Sequence, residues 1–230
     1  MKELLQNSLY FGLVLSIGSY LIGLWIKKKT KLALMNPLLI SIILTILVLL
    51  GLKIDYADYN EGAKYLSYFL TPATVCLAIP LYKQLNLLKE NWIAVLGGIA
   101  SGVAASACSI FALCKVFGLS HEHYVTLLPK SITTAIGMGV SEEAGGMVTL
   151  TVVSIVITGI LGNMIAELIF HIFHIYDPIA KGLALGTSAH AIGTAKALEL
   201  GEIEGAMSSL AIAVAGLMTV LVVPLISGLL

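Results

Sequence analysis

Six apolar runs, at about residues 5–26, 33–51, 63–82, 91–117, 147–173 and 205–229, fill most of this chain. A crossing of the lipid bilayer takes about 20 apolar residues, so each run is long enough to span. In lipid every backbone N–H and C=O needs a partner inside the protein, which leaves helices or closed barrels, and barrel strands are only about half this long. Charged residues are 11% of the 230, against about 25% in soluble domains. No hydrophilic stretch has room for a soluble domain. The expected fold is all-α and polytopic. It is one integral membrane domain over residues 1–230, with about seven or eight transmembrane or re-entrant segments, internal repeats and broken helices.

Lysine sets the expected orientation. All 13 basic residues are Lys, matched by 13 acids. Lys27, Lys28, Lys29 and Lys31 follow the first run; Lys83 and Lys89 follow the third. Clustered lysines mark the cytoplasmic side. Both groups share that side if the first three runs cross a cell membrane with the N-terminus outside, which also puts the acidic stretch 53–64 outside. The first run is too long for a signal-peptide core and reads as a retained span. No basic patch mixes with aromatics, which excludes nucleic acid as a partner. Cys76, Cys108 and Cys114 are odd in number, show no paired spacing and read as small buried hydrophobes.

Two polar segments interrupt this pattern and resemble each other. Residues 130–145 read KSITTAIGMGVSEEAG and residues 186–201 read GTSAHAIGTAKALELG. At a constant offset of 56 they share Ala135/Ala191, Ile136/Ile192, Gly137/Gly193, Glu143/Glu199 and Gly145/Gly201. Repeated, glycine-interrupted polar segments in a very apolar chain point to a substrate path. If each copy crosses the bilayer, the two run parallel. If each is a re-entrant hairpin, the single span between them makes them inverted.

The residue types in these copies suit a small carboxylate. Pro129 precedes Lys130, Ser131, Thr133 and Thr134, a helix-start pattern whose free N–H groups, dipole and ammonium attract an anion. Thr187, Ser188, His190 and Thr194 would face it from the second copy. Glu142, Glu143 and His190 are the candidates for ion or proton coupling. Thr71, Pro72 and Thr74 in the third run, with Gly137 and Gly193, are the expected broken-helix elements. Asn163 and Glu167 share a helical face suited to interhelical hydrogen bonds. His171 and His174 lack a third ligand, so no metal is expected. There is no HExxH, GxSxG or P-loop, so the chain reads as a non-enzyme without a cofactor. Small residues at Gly97, Gly98, Ser101 and Gly102 let helices approach closely, which allows a homodimer without requiring one.

The runs Phe69–Val75 with Ala78–Tyr82, Leu128–Thr134, Ser141-Glu142 with Gly145-Gly146, and Gly186–Ala195 together resemble the LrgB/CidB family over nearly the whole chain. The resemblance implies two functions. One is antiholin-like or holin-like modulation of murein hydrolase activity and autolysis, with a small LrgA/CidA-type membrane partner. The other is carboxylate movement, as in a plastid relative similar to a glycolate/glycerate translocator and in bacterial pairs linked to pyruvate. A holin needs only helices that assemble into holes, whereas polar, glycine-broken segments cost stability in lipid. The residues therefore favour a transporter of small monocarboxylates (pyruvate, glycolate, glycerate, lactate), proton-coupled and working by alternating access. The alternative is the antiholin-like regulator.

Overall fold

Every regular element among the described residues is helical, as the apolar runs require. The computed structural model describes residues 10–30 and 35–230, except the side chains of residues 70, 71 and 74. Lys31 therefore lies outside the described residues. The elements are α1 (Phe11–Thr30), α2 (Pro37–Leu52), α3 (Tyr56–Ser67), α4 (Leu70–Cys76), α5 (Ala78–Lys83), α6 (Leu85–Glu90), α7 (Trp92–Val116), α8 (His121–Leu127), α9 (Thr134–Glu143), α10 (Val148–Ile172), α11 (Pro178–Leu200) and α12 (Glu202–Ile226), closed by a 3-10 turn at Ser227–Leu229. Four are long and apolar enough to cross a membrane: α1, α7, α10, and α12 with its 3-10 turn; α2 is a shorter apolar helix. This is a polytopic membrane protein.

The chain divides into two compact units, Met1–Cys76 and Leu77–Leu230. In the first, Gly23 of α1 packs on Pro37 of α2, and Gly12 packs on the backbone of Tyr59 in α3. Asn36 caps α2 through Leu38 N at 2.9 Å. Within the acidic stretch after α2, residues from Tyr56 on are helical, with Asp55 capping α3 through Ala57 N. The run at 63–82 does not form one span. Turns at Tyr68-Phe69 and at Leu77 divide it. Pro72 is the third residue of α4 and Pro80 the third of α5. Proline belongs in a first turn, where its missing N–H has no helical partner anyway. The breaks thus fall before each proline's helix, and Thr71 and Thr74 lie inside α4, their side chains outside the described residues.

In the second unit one pattern occurs twice. α7 and α10 each hold 25 residues. Trp92 and Val148 are 56 residues apart, as are Val116 and Ile172. Their ends match in detail. Phe117 and Phe173 cap them, Gly118 and His174 follow at φ 62 and φ 55, and Leu119 N and Ile175 N return to Cys114 O and Phe170 O at 2.9 Å each. Both are Schellman ends, with a left-handed residue closing the last turn. The helix directions follow from close contacts. Gly98 and Gly102 of α7 face Leu183 and Thr187, while Gly182 and Gly186 face Glu204 and Ser208 of α12. α7, the first part of α11 and α12 therefore run parallel. α10 runs opposite, with Gly162 on Ala189 and Phe170 beside Leu185.

Candidate functional site

The second polar segment is a re-entrant hairpin. Asp177 caps α11 through Ala180 N at 2.8 Å, with Pro178 as first helical residue. At His190 the backbone leaves the helix (φ 41, ψ −134). The return leg then lies against the first: Gly193 meets the Leu185 carbonyl, and a Cβ there would sit 2.7 Å from that of Ala189. The leg 178–189 enters, the chain reverses at His190, and the leg 191–200 leaves on the same side. The break is at His190 rather than at Gly193. Gly193 instead supplies the room in which the legs meet.

The first segment is a hairpin of opposite sense. α8 enters beside the start of α10, the tip is 128–133, and α9 returns. Thr126 on the way in and Ser141 on the way out both reach Thr151, whose Oγ1 lies 3.0 Å from the Thr126 carbonyl and 2.7 Å from Ser141 Oγ. Further in, Gly137 faces Ile155 of α10 and the Pro129 carbonyl at 3.4 Å. Gly137 therefore lies within α9, away from the break. One long helix, α10, separates the hairpins, so they enter from opposite ends of the second unit and their tips approach each other.

At that meeting lies a cavity of about 790 Å³. Lys130 and Ser131 reach it from the first tip, Thr187 and Ser188 from the second hairpin, and Ser106 and Gly102 from α7. Lys130 Nζ donates to Ser131 Oγ at 3.1 Å, and Ser131 and Ser106 hydroxyls lie 3.2 Å apart. Thr187 and Ser188 donate to the carbonyls of Leu183 and Ala184, at 2.7 and 2.6 Å. Ser106 is near the middle of α7, about 15 Å from its C-terminal end. Lys130 is half-buried. Among the described residues no carboxylate lies within ion-pair distance of it.

The other expected residues lie elsewhere. His190 is buried, and its Nε2 donates to the Ile155 carbonyl at 3.0 Å, over Gly159. Thr194 is fully buried and bonds His190 O at 3.1 Å and Ser208 Oγ at 2.7 Å. Thr133 precedes α9 as its cap residue without a side-chain bond, and Thr134 is its first residue; neither lines the cavity. Glu142 and Glu143 end α9 at the exposed side, Glu143 beside a separate space of about 250 Å³ with Val220 and Val223. The pair read as interhelical does bind between helices: Asn163 donates to Ile192 O at 3.1 Å, and Glu167 pairs with Lys196. The α7 serines were legible only as small residues. Ser101 and Ser109, exposed on α7, also line the cavity.

No solved structure matches this chain. Curated relatives do. An "Antiholin-like protein LrgB" of Bacillus subtilis (strain 168) is 39% identical over 216 residues, covering 94% of each chain. Proteins of the same name from Bacillus cereus (strain B4264) and Bacillus anthracis (strain CDC 684 / NRRL 3495) are 39% identical over 217 residues, again covering 94% of each. Residues 16–229 match the LrgB-like family description, a span that contains α7, both hairpins and α12, and the chain belongs to the LrgB-like family.

Proposed function

We propose that this protein moves small monocarboxylates across the membrane, binding them where the two hairpin tips meet. The observation that carries this reading is Lys130: a half-buried ammonium beside the middle of α7, with no carboxylate within ion-pair distance among the described residues, at the edge of a cavity lined by serine and threonine hydroxyls and, at its α11 entry, by Asp177. A charge held in the membrane interior is costly and marks an ion or substrate path. A single cation balances one carboxylate. Two hairpins of opposite sense around one site are the usual frame for alternating access. Residues 92–144 and 148–200 carry the same order of elements, which supports descent from a duplicated unit. His190, Glu142 and Glu143 remain the candidates for a coupled proton.

The lysines of the second unit give that unit an orientation of its own. Lys83, Lys89 and Lys181 lie toward the end from which α11 enters, and Lys115 at the other. The second hairpin would open from the cytoplasm and the first from outside. Uptake of labelled glycolate, pyruvate and lactate into proteoliposomes, with and without a proton gradient, tests the proposal. Saturable uptake lost in Lys130→Gln supports it; no uptake by folded protein, alone or with a small LrgA/CidA-type partner, sinks it.

The relatives' name, antiholin-like protein, favours a second reading, which the family resemblance fills out as a regulator of murein hydrolase activity that works through such a partner. A regulator binds the partner with Lys130→Gln in place and binds no carboxylate. A homodimer is compatible with either reading.

A further inference from the structure

A second cavity, of about 340 Å³, meets the first at Lys130 and Ser188. Its walls are apolar, with Leu161, Ile165 and Ile169 from α10 and Leu185 from α11. From Thr158 to Phe170 it follows α10 for about 18 Å. Leu161, Ile165 and Ile169 are exposed, so this space opens toward the lipid tails. An elongated apolar slot with an ammonium at one end has the shape and charge of a site for a chain that carries one terminal carboxylate. A phospholipid matches it poorly, because its phosphate stays at headgroup level, while Lys130 lies, through Ser131, beside Ser106 near the middle of the 25-residue α7. One ammonium serves both cavities, so the two occupants exclude each other.

We propose that this slot takes the tail of an acyl-chain carboxylic acid whose carboxylate sits on Lys130, and that such acids compete with the small substrate. The inference rests on Lys130 as the carboxylate anchor of the proposed function and adds a tail site to it.

Equilibrium binding of labelled decanoate, butyrate and glycolate to the full chain in nanodiscs, with empty nanodiscs subtracted, tests it. Decanoate should bind at least tenfold tighter than butyrate, since each methylene taken out of water adds several-fold. Glycolate should displace it, and Lys130→Gln should abolish its binding. Ile165→Ser, which puts a hydroxyl in the lipid-facing wall, and Leu161→Trp, which fills the slot, should each weaken decanoate several-fold and leave glycolate unchanged. Decanoate no tighter than butyrate, or held equally by Lys130→Gln, or not displaced by glycolate, would overturn the proposal. Glycolate binding without decanoate binding removes this inference alone; binding of neither removes the carboxylate reading as well.

Discussion

Gly137 and Gly193 hold the same place in two hairpins of opposite sense: each lies against the backbone carbonyl of the residue eight positions earlier, Pro129 and Leu185. Their surroundings differ in one respect that decides what a methyl group would do. At Gly193 the obstacles are a backbone carbonyl and the Cβ of Ala189 at 2.7 Å, none of which can turn aside. At Gly137 the nearest atom is Cδ1 of Ile155 at 2.5 Å, the end of a side chain that can rotate, and the carbonyl is at 3.4 Å. Alanine also favours the helix over glycine by about 1 kcal/mol. Gly193→Ala should therefore splay the second hairpin and lower folded yield sharply. Gly137→Ala should stay within about 1 kcal/mol of the native protein. Thermal unfolding of both variants in detergent compares them, and equal losses would refute the difference.

His190 ties the tip of the second hairpin to α10. Its ring lies over Gly159, where a Cβ would come within 2.8 Å of Nε2, and it donates to Ile155 O. His190→Ala removes that donor and leaves a void, at a cost of about 1–3 kcal/mol. His190→Gln, whose side-chain N–H extends to a similar depth, should recover part of it. Folded His190→Ala protein should still bind glycolate with little change, because the ring does not line the cavity. A large loss of affinity at unchanged melting temperature would return His190 to the substrate site.

What the sequence made legible was periodic and chemical; what it hid was tertiary. The long helices were plain because charge-poor runs of that length have one solution in lipid. The repeat was visible at Gly137 and Gly193, which hold the same place in both hairpins, although only at Gly193 do the two legs leave no room for a methyl group. The matching ends of α7 and α10 were also there to read, in Phe117 and Phe173 at the same offset, but Gly118 and His174 are unlike residues in one backbone conformation. The break at His190 had no local signal. A histidine at positive φ is uncommon, and it is held by Ile155, 35 positions away. Likewise nothing local says that Ser106 turns toward Ser131, since that depends on where the first hairpin docks on α7.

The first hairpin is tied down by hydroxyls. Thr151 is fully buried between Ser141 and the Thr126 carbonyl, and Thr126 Oγ1 accepts from Met147 N at 2.8 Å. Thr151→Val keeps the volume and leaves two partners unsatisfied, a loss of about 1–3 kcal/mol. Ser141→Ala should cost less, since Thr151 can turn to the carbonyl. The double variant should lose less than the sum, because both changes remove one shared bond. Melting temperatures of the four proteins give this cycle, and strict additivity would show that the two hydroxyls act separately.

Lys130 should show stability and function pulling in opposite directions. Its ammonium is half-buried and donates to Ser131 Oγ at 3.1 Å, with no carboxylate within ion-pair distance among the described residues. Burial of a charge without a counter-charge is unfavourable until an anion arrives. Lys130→Met keeps the length and much of the volume of the side chain and removes that burden. The substrate-free variant should therefore melt about 2–4 °C higher per kcal/mol relieved. Glycolate should raise the melting temperature of the native protein, as any ligand of the folded state does, and leave that of Lys130→Met unchanged. Lys130→Arg keeps the charge and should keep part of the ligand-induced shift. A Lys130→Met protein that melts lower than native in the absence of glycolate would mean that the ammonium is satisfied in the resting protein and is not waiting for an anion.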